Sequence, residues 1–394
     1  MSGENLVPKL RFSGFVDEWK SIKLNETGEV VTGATPPTKN KDNFTNSGYI
    51  WVTPGDIDSK KIVSKTERNL SEKGLEKGRK IESNSILVTC IGATIGKICM
   101  IKEVGSCNQQ LNAITPNEHF FPDFIYYTIQ KTAKNLLLIA GNTATPILNK
   151  KSFGNLSYNF PSFAEQKKIA LFIDKIDRKI DLLEKKYETY QDFKKYLMQQ
   201  IFAQKLRFAE FDDEWKPYKI GDISKTYSGG TPPTSKREYY EGDIPFIKSG
   251  EINKEVTEQY ITEDAINNSS AKRVQKGDLL LALYGATSGE VAISKINGAI
   301  NQAVLKIEND MDNYFQYCYF LMYKDQIVHK YLQGGQGNLS ANIIKKLEFK
   351  YPSLAEQKKI SQFFMSIENK LELYENKIQK FNYFKKGLLQ QMFV

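Results

Sequence analysis

The chain has 394 residues, more than the roughly 100–200 that one ordinary domain needs, so we expect at least two domains. A hydrophobic share of 40% and a charged share of 26% are typical of a globular protein and exclude wholesale disorder. The net charge of +9 permits an anionic partner such as nucleic acid but does not identify one. Two histidines and four cysteines without a Cys-x-x-Cys pair favour neither zinc nor disulfides. With no long apolar run and no signal segment, we expect a cytoplasmic protein without membrane contact.

Two similar halves follow each other along the chain. Motifs of the first half return in the second at a nearly constant spacing, as two diverged copies of one unit would give. The motifs, each followed by its second copy, are Lys9-Leu-Arg-Phe12 and Lys205-Leu-Arg-Phe208, Thr35-Pro-Pro-Thr38 and Thr231-Pro-Pro-Thr234, Gly92-Ala-Thr-Ile-Gly96 and Gly285-Ala-Thr-Ser-Gly289, Asn108-Gln109 and Asn301-Gln302, and Pro161-Ser-Phe-Ala-Glu-Gln and Pro352-Ser-Leu-Ala-Glu-Gln.

The first part of each copy is rich in Gly, Thr, Asn and Pro, with short apolar runs such as 85–89 and 278–282. This pattern predicts strands and loops. Aromatic and aliphatic residues without helix breakers predict one helix per copy, near 122–138 and 314–331. We therefore expect an α+β fold for both of these parts.

The second part of each copy predicts a helix of about 40 residues. From 162 to 202 and from 353 to 393 there is no proline, and apolar residues fall at heptad spacing. Each helix begins with a predicted capping box, Ser162 with Glu165 and Ser353 with Glu356. Two such helices in one chain favour an antiparallel intramolecular coiled coil. Lys194 and Lys385 interrupt its apolar register, so we expect the seam to loosen there or the lysine stems to reach out to water.

This order of parts, with Ala-Glu-Gln-Lys-Lys-Ile at the start of both helices, resembles the specificity subunits of type I restriction–modification systems. The resemblance covers nearly the whole chain. It implies two target-recognition domains at 1–160 and 205–351, separated by long helices at 161–204 and 352–394 in a pseudo-twofold arrangement. The Glu18-Trp19, Gly33-x-Thr35-Pro36, Gly92-x-x-x-Gly96 and Asn108-Gln109 motifs are individually weak.

The resemblance also implies a function and partners. Each recognition domain is expected to bind one half of a split target in double-stranded DNA, with the coiled coil fixing the gap between the halves. Two copies of an adenine methyltransferase subunit and a motor-endonuclease subunit are the expected protein partners. The chain itself is expected to be non-catalytic and without cofactors, because S-adenosylmethionine, ATP and Mg²⁺ would belong to the partners.

Residues identical in both copies cannot make the two half-sites different, so we expect specificity where the copies diverge. The divergent stretches are 39–48 against 235–243, 58–80 against 253–273, and 141–151 against 333–342, and they predict a target that is not palindromic. Together with shared loop positions they give these candidate DNA-binding residues: Thr35, Lys39, Lys41, Asn43, Lys60, Lys61, Arg79, Thr94, Asn142, Thr143, Lys150, Thr231, Lys236, Arg237, Tyr239, Lys248, Lys272, Arg273, Thr287, Gln336 and Asn338.

Catalytic interpretations of the motifs are weaker than structural ones. The 92–97 segment lacks the first glycine of a phosphate-binding loop, since Ile91 stands there. Thr35-Pro-Pro-Thr38 lacks the amide and the aromatic residue that hold a flipped base in adenine methyltransferases. Trp19 and Trp215 are expected in the cores.

Two other functions remain open on the sequence. The first is a duplicated protein-interaction scaffold without DNA specificity. The second is a nuclease or methyltransferase in its own right, for which no complete motif is found.

Overall fold

The computed structural model describes residues 6–141, 144–332 and 338–394. The chain forms two compact units. Unit 1 consists of residues 1–184 together with 376–394, and unit 2 of residues 185–375. The boundary between them falls inside both long helices, whereas the sequence places domain boundaries at the helix starts. Each unit therefore combines one globular part with segments of both helices.

The first half of the chain contains ten strands and five helices within the described residues. In chain order they are β1 (Lys20–Lys23), α1 (Leu24–Thr27), β2 (Gly28–Thr32), β3 (Phe44–Thr45), β4 (Tyr49–Val52), β5 (Asn69–Leu70), α2 (Glu72–Lys77), β6 (Ile86–Thr89), β7 (Ile98–Met100), β8 (Ser106–Cys107), β9 (Leu111–Pro116), α3 (Pro122–Ala140), α4 (Lys150–Gly154), β10 (Ser157–Phe160) and α5 (Phe163–Phe202).

The second half repeats this order within the described residues, except that it lacks a strand equivalent to β3 and has one more strand after α7. Its elements are β11 (Lys216–Lys219), α6 (Ile220–Ile223), β12 (Ser224–Ser228), β13 (Ile244–Ile247), β14 (Tyr260–Ile261), α7 (Glu263–Asn267), β15 (Lys272–Val274), β16 (Leu279–Ala282), β17 (Val291–Ile293), β18 (Gly298–Ile300), β19 (Val304–Asn309), α8 (Asn313–Leu332), α9 (Ala341–Lys346), β20 (Glu348–Tyr351) and α10 (Leu354–Met392). The predicted α+β class and the predicted helices near 122–138 and 314–331 are confirmed. None of the helices in the described part of the chain is long and apolar enough to cross a membrane.

The two units pair their strands alike in the first sheet and differ at one edge strand, β3 or β15, in the second. One four-stranded sheet has the order β2-β9-β6-β7 in unit 1 and β12-β19-β16-β17 in unit 2. A second has the order β3-β5-β4-β8 in unit 1 and β14-β13-β18-β15 in unit 2, and it contains a parallel pair, β4 with β8 or β13 with β18. The short ribbons β1-β10 and β11-β20 connect the start and the end of each globular part.

The core of each unit closes around a tryptophan. Trp19 and Trp215 are both only 2% exposed, which confirms their predicted core position. In unit 1, Trp19 packs edge-on against Phe124, and the Phe124 ring stacks on Phe393 at 4.9 Å. Phe202 occupies the same place beside Trp215 in unit 2. The end of α10 together with Phe393, the residue after it, thus completes the core of unit 1, and the last turn of α5 completes that of unit 2.

The long helices pack against each other within each unit. In unit 2, the ring centres of Tyr190 in α5 and Tyr374 in α10 are 5.5 Å apart, and Lys194 of α5 forms an ion pair with Glu368 of α10. Because residue numbers rise along α5 while they fall along α10, the packing is antiparallel, as predicted. In unit 1, Ile169, Ile173 and Ile176 of the predicted seam are buried.

The two lysines of the seam do not loosen it or reach out to water, and we correct that expectation. Lys194 pairs with Glu368 in unit 2, and Lys385 lies 2.7 Å from the carboxylate of Asp177 in unit 1. Both lysine side chains are largely buried. Each cation is therefore matched by a carboxylate on the facing helix, and the pair fixes the helix register.

The start of each long helix is held by an arginine from the Lys-Leu-Arg-Phe motif. Arg11 donates two hydrogen bonds of 2.8 Å to the Glu165 carboxylate and a third to the Asp17 carbonyl. Arg207 does the same with Glu356 and Asp213. Only half of the predicted capping box forms, because the Ser162 hydroxyl accepts from the Glu165 amide at 3.4 Å while the carboxylate is bound to Arg11.

Lys61 ties the globular part of unit 1 to α5. Its ammonium lies 2.6 Å from carboxylate oxygens of both Asp123 and Asp174 and donates to the Tyr127 hydroxyl at 3.2 Å. Tyr127 in turn donates to Asp177, the partner of Lys385. Lys61 was predicted to contact DNA. We correct this, because its ammonium is already surrounded by two carboxylates and a phenol inside unit 1.

This network lowers the pKa of Asp174. Burial alone would raise the pKa of this carboxyl, but hydrogen bonds and positive charge from Lys61 and Arg178 outweigh burial. A carboxyl whose pKa is lowered by folding stabilises the folded state above its ordinary pKa of about 3.9, and that contribution is lost as the pH falls through the folded value.

Replacing Lys61 by Met should destabilise unit 1 by about 1–3 kcal/mol at neutral pH, less than for a fully buried pair because Asp174 keeps partial contact with water. The difference from the wild type should shrink as the pH falls below about 4 and on through the lowered pKa of Asp174. Guanidinium unfolding would be followed by tryptophan fluorescence in a Trp215→Phe background, so that only Trp19 and Trp51 report. Lys80→Met, which removes an exposed ion pair to Glu82, is the control and should cost under about 0.5 kcal/mol.

Phe393→Ala should destabilise unit 1 selectively, by about 3–5 kcal/mol, because it empties the site beside Trp19 and Phe124. Hydrogen exchange measured by mass spectrometry should accelerate in β6 and β9 while β16 and β19 keep their protection. Phe202→Ala should give the converse pattern. Tyr383→Ala, at a position 81% exposed, should leave both units unchanged. Equal acceleration in both units for Phe393→Ala would contradict the assignment of the α10 end to unit 1.

Candidate nucleic-acid interface

A proline-containing loop lies at the same place in both units. The Thr35–Thr38 loop follows β2 and rests on the Asn108-Gln109 turn between β8 and β9. The Thr35 hydroxyl donates to the Gln109 side-chain oxygen at 2.5 Å. In unit 2 the Thr231 hydroxyl donates to Gln302 at the same distance. Both pairs are exposed, so each unit presents an oriented carboxamide to solvent at one fixed point.

Glycine makes this close approach possible. A Cβ atom at Gly33 would overlap the backbone oxygen of Asn108, and one at Gly229 would overlap that of Ile300. The turns themselves are closed by asparagine, since Asn108 accepts from the Gln110 amide at 3.1 Å and Asn301 from the Ala303 amide at 3.0 Å. The shared glycine, threonine and Asn-Gln motifs thus build one rigid surface feature.

The Gly92–Gly96 and Gly285–Gly289 motifs form tight turns, in keeping with the structural interpretation. All four of these glycines have positive φ values between 79° and 94°. The residue directly after each motif, Lys97 or Glu290, has different binding partners in the two units. Lys97 donates to the carbonyls of Pro54 and Ile57, both at 3.0 Å, whereas Glu290 pairs with Lys324.

Most of the predicted DNA-binding residues lie on the surface. Those exposed are Thr35, Lys39, Lys41, Lys60, Arg79, Thr94, Lys150, Thr231, Lys236, Arg237, Lys272, Arg273 and Asn338, and those partly exposed are Lys248 and Thr287. Arg273 is engaged in an ion pair with Glu263. Asn142, Thr143 and Gln336 lie outside the described residues. A direct contact of any of these residues with DNA stays a prediction.

Two predicted residues are buried and brace their loops. Asn43 is fully buried and donates from its side chain to the Pro37 carbonyl at 2.9 Å. Tyr239 is 6% exposed, and its hydroxyl accepts from the Lys236 ammonium at 3.0 Å. We correct both assignments, because both side chains are buried and hydrogen-bonded within their own loops.

Gln109 and Gln302 are surface residues that the candidate list missed. The signal was present in the sequence, since Asn-Gln is one of the motifs shared by both halves. Identity in both copies indicated a role in the fold or in phosphate contact. Because the loop threonine donates to the side-chain oxygen of each glutamine, the carboxamide is fixed and its NH2 group is an exposed donor.

The same arrangement of two related halves is found in known proteins. Residues 16–189 and 212–383 each match the family model of the type I restriction modification DNA specificity domain. The chain is 30% identical over 195 residues to the type I restriction enzyme EcoR124I/EcoR124II specificity subunit of Escherichia coli. That match covers 44% of this chain and 47% of the relative. It is 21% identical over 399 residues to the MjaVIII specificity subunit of Methanocaldococcus jannaschii, covering 95% and 91%.

Solved structures share the fold. The S subunit of a type I restriction–modification system from M. genitalium superimposes with a TM-score of 0.67 at 16% identity, over 98% of this chain and 99% of that one. A chain from a structural study of complex assembly in a type I system gives 0.60 at 16% identity, over 96% and 98%. Because the family model matches twice and spans most of the sequence, the chain belongs to the type I restriction–modification DNA specificity family, with two specificity domains.

Proposed function

We propose that this chain is the non-catalytic DNA-recognition subunit of a type I restriction–modification complex. Unit 1 and unit 2 each recognise one half of a split, non-palindromic target in double-stranded DNA, and the paired helices set the gap. Adenine methyltransferase subunits, in two copies, and a motor-endonuclease subunit carry out the chemistry with S-adenosylmethionine, ATP and Mg²⁺. The observation that carries the proposal is the pair of matched Thr–Gln loops, each surrounded by charged residues that differ between the units.

Charge and exposure support DNA as the partner. The exposed Lys39 and Lys41 directly follow the Thr35–Thr38 loop, and the exposed Lys236 and Arg237 follow the Thr231–Thr234 loop in unit 2. Exposed cations next to a rigid polar loop suit phosphate contacts, while divergent side chains beside the loop suit base contacts. Because the two sets differ in sequence, the two half-sites are expected to differ.

The decisive experiment is co-expression of the chain with the methyltransferase subunit of its system in a methylation-free host, followed by mapping of N6-methyladenine by single-molecule sequencing. We expect one motif made of two unlike halves with a fixed gap. A palindromic motif would overturn the prediction of unlike halves. Co-purification of the two proteins without any methylated motif would overturn the DNA-recognition role.

Removing two cations should show whether the Thr35–Thr38 loop lies against DNA. The Lys39→Met, Lys41→Met double variant should bind its target more weakly, and the slope of log K against log salt should fall by about one for each lost phosphate contact. Fluorescence anisotropy with a labelled duplex, titrated between low and moderate salt, measures both effects.

The matched control removes the same charge from the exposed face of α5 in unit 1, as Lys175→Met with Lys179→Met. It should leave the salt slope unchanged. An equal loss of slope in both double variants would show that only net charge matters and that the loop is not the contact. Binding that does not weaken with salt in the wild type would favour the interaction-scaffold alternative.

A further inference from the structure

A small cleft opens beside the Thr231–Gln302 pair of unit 2. Its volume is about 260 Å³, and its lining includes Thr231, Thr234, Tyr240, Phe246, Lys248 and Gln259. Phe246 is 1% exposed and forms an apolar floor, while the hydroxyl of Tyr240 is held at 2.6 Å by the Pro232 carbonyl. The cleft is thus walled by polar side chains and backed by fixed aromatic rings.

Lys248 is the cationic group of this cleft, and its backbone is rigidly placed. It directly follows β13, where the Asn301 amide donates to the Ile247 carbonyl. Its own amide donates to the carboxylate of Glu251, which is 5% exposed and also accepts from the Glu258 amide at 2.8 Å. Within the described part of the chain the Lys248 ammonium forms no ion pair. A partly exposed cation with a fixed backbone and no ion pair to a described residue is available to an external acceptor.

Unit 1 has no such donor at the corresponding place. Thr53 follows β4 as Lys248 follows β13, and the Asn108 amide donates to the Val52 carbonyl in the same way. The Thr53 amide and hydroxyl both donate to the Asp56 carboxylate, at 2.8 Å and 2.6 Å. Both donors of Thr53 are therefore engaged inside unit 1. At this one position, directly after the strand, unit 2 offers a cation without an ion pair and unit 1 does not.

We propose that Lys248 is a specificity-determining residue for the half-site bound by unit 2, where it donates to the major-groove edge of one guanine. This proposal rests on the proposed function. Lysine offers three donors and no acceptor, and guanine alone presents two acceptors, O6 and N7, on its major-groove edge. Lys236 and Arg237 are exposed and suit phosphate contacts, whereas Lys248 lines the cleft together with Phe246 and Thr231.

The test compares the methylated motif of the wild-type complex with that of Lys248→Met. We expect the wild-type motif to contain a guanine, at one position of one half, that Lys248→Met no longer selects. The preference for guanine there should fall by about tenfold or more, while the other half and the gap stay unchanged. Lys248→Arg should keep the guanine, because arginine donates to the same two acceptors. Lys219→Met removes an exposed lysine of unit 2 outside the divergent stretches and is the matched control.

A second variant keeps the proposal testable if Lys248→Met folds poorly. Lys248→Gln should shift the preference at that position from guanine towards adenine, whose N6 and N7 pair with an amide. An unchanged motif in both neutral variants would overturn the proposal. So would uniform weakening with a smaller salt slope, which indicates a phosphate contact. If the wild-type complex itself gives no split motif, the proposed function fails, and that result is distinguishable because it precedes any variant.

Discussion

A buried carboxylate bound by an arginine fork is the constraint on which both units depend. Glu165 and Glu356 are each 1% exposed, and such a charge is tolerated only when it is paired and hydrogen-bonded. Arg11 and Arg207 supply both conditions and also bind the chain just before the core tryptophan. The next residue of the motif continues the connection, since the Gln166 side chain accepts from the Phe121 amide at the start of α3. The entry strand, the core helix and the long helix are thereby fixed to one another.

The sequence was sufficient for the architecture because duplication and periodicity are visible in one chain. The repeated motifs defined two equivalent parts, and the heptad pattern defined two long helices and their buried faces. Pattern alone could not supply the partners of charged groups. A lysine at a seam position looks like a defect until the facing residue is known, and Lys194 and Lys385 meet carboxylates whose register no spacing rule predicts. In the same way, Glu165 looks like a cap, but its partner is 154 residues away.

The candidate site was predictable in its location and less so in its members. In the described residues the divergent polar stretches hold loops with short strands and helices, and most of their predicted DNA-binding side chains are exposed, because unlike sequences are tolerated where no core must be packed. Residue type did not separate side chains that face solvent from those that hold a loop together. Asn43, Lys61 and Tyr239 have the chemistry of DNA contacts and use it internally. The Thr–Gln pairs show the reverse case. Both motifs are visible in the sequence, but the hydrogen bond between Thr35 and Gln109, which are 74 residues apart, is visible only in the structure.

The division of the chain into units has a consequence for the order of folding during synthesis. Unit 2 is continuous, from 185 to 375, whereas unit 1 needs residues 376–394 to fill the space beside Trp19. At roughly 5–20 residues per second, a ribosome takes about 10–40 s to travel from the end of the first segment of unit 1 to the second. The domain that is translated first is therefore the last to be completed. Throughout that interval its apolar surface around Phe124 lacks a cover, which makes the nascent first half a natural client for chaperones.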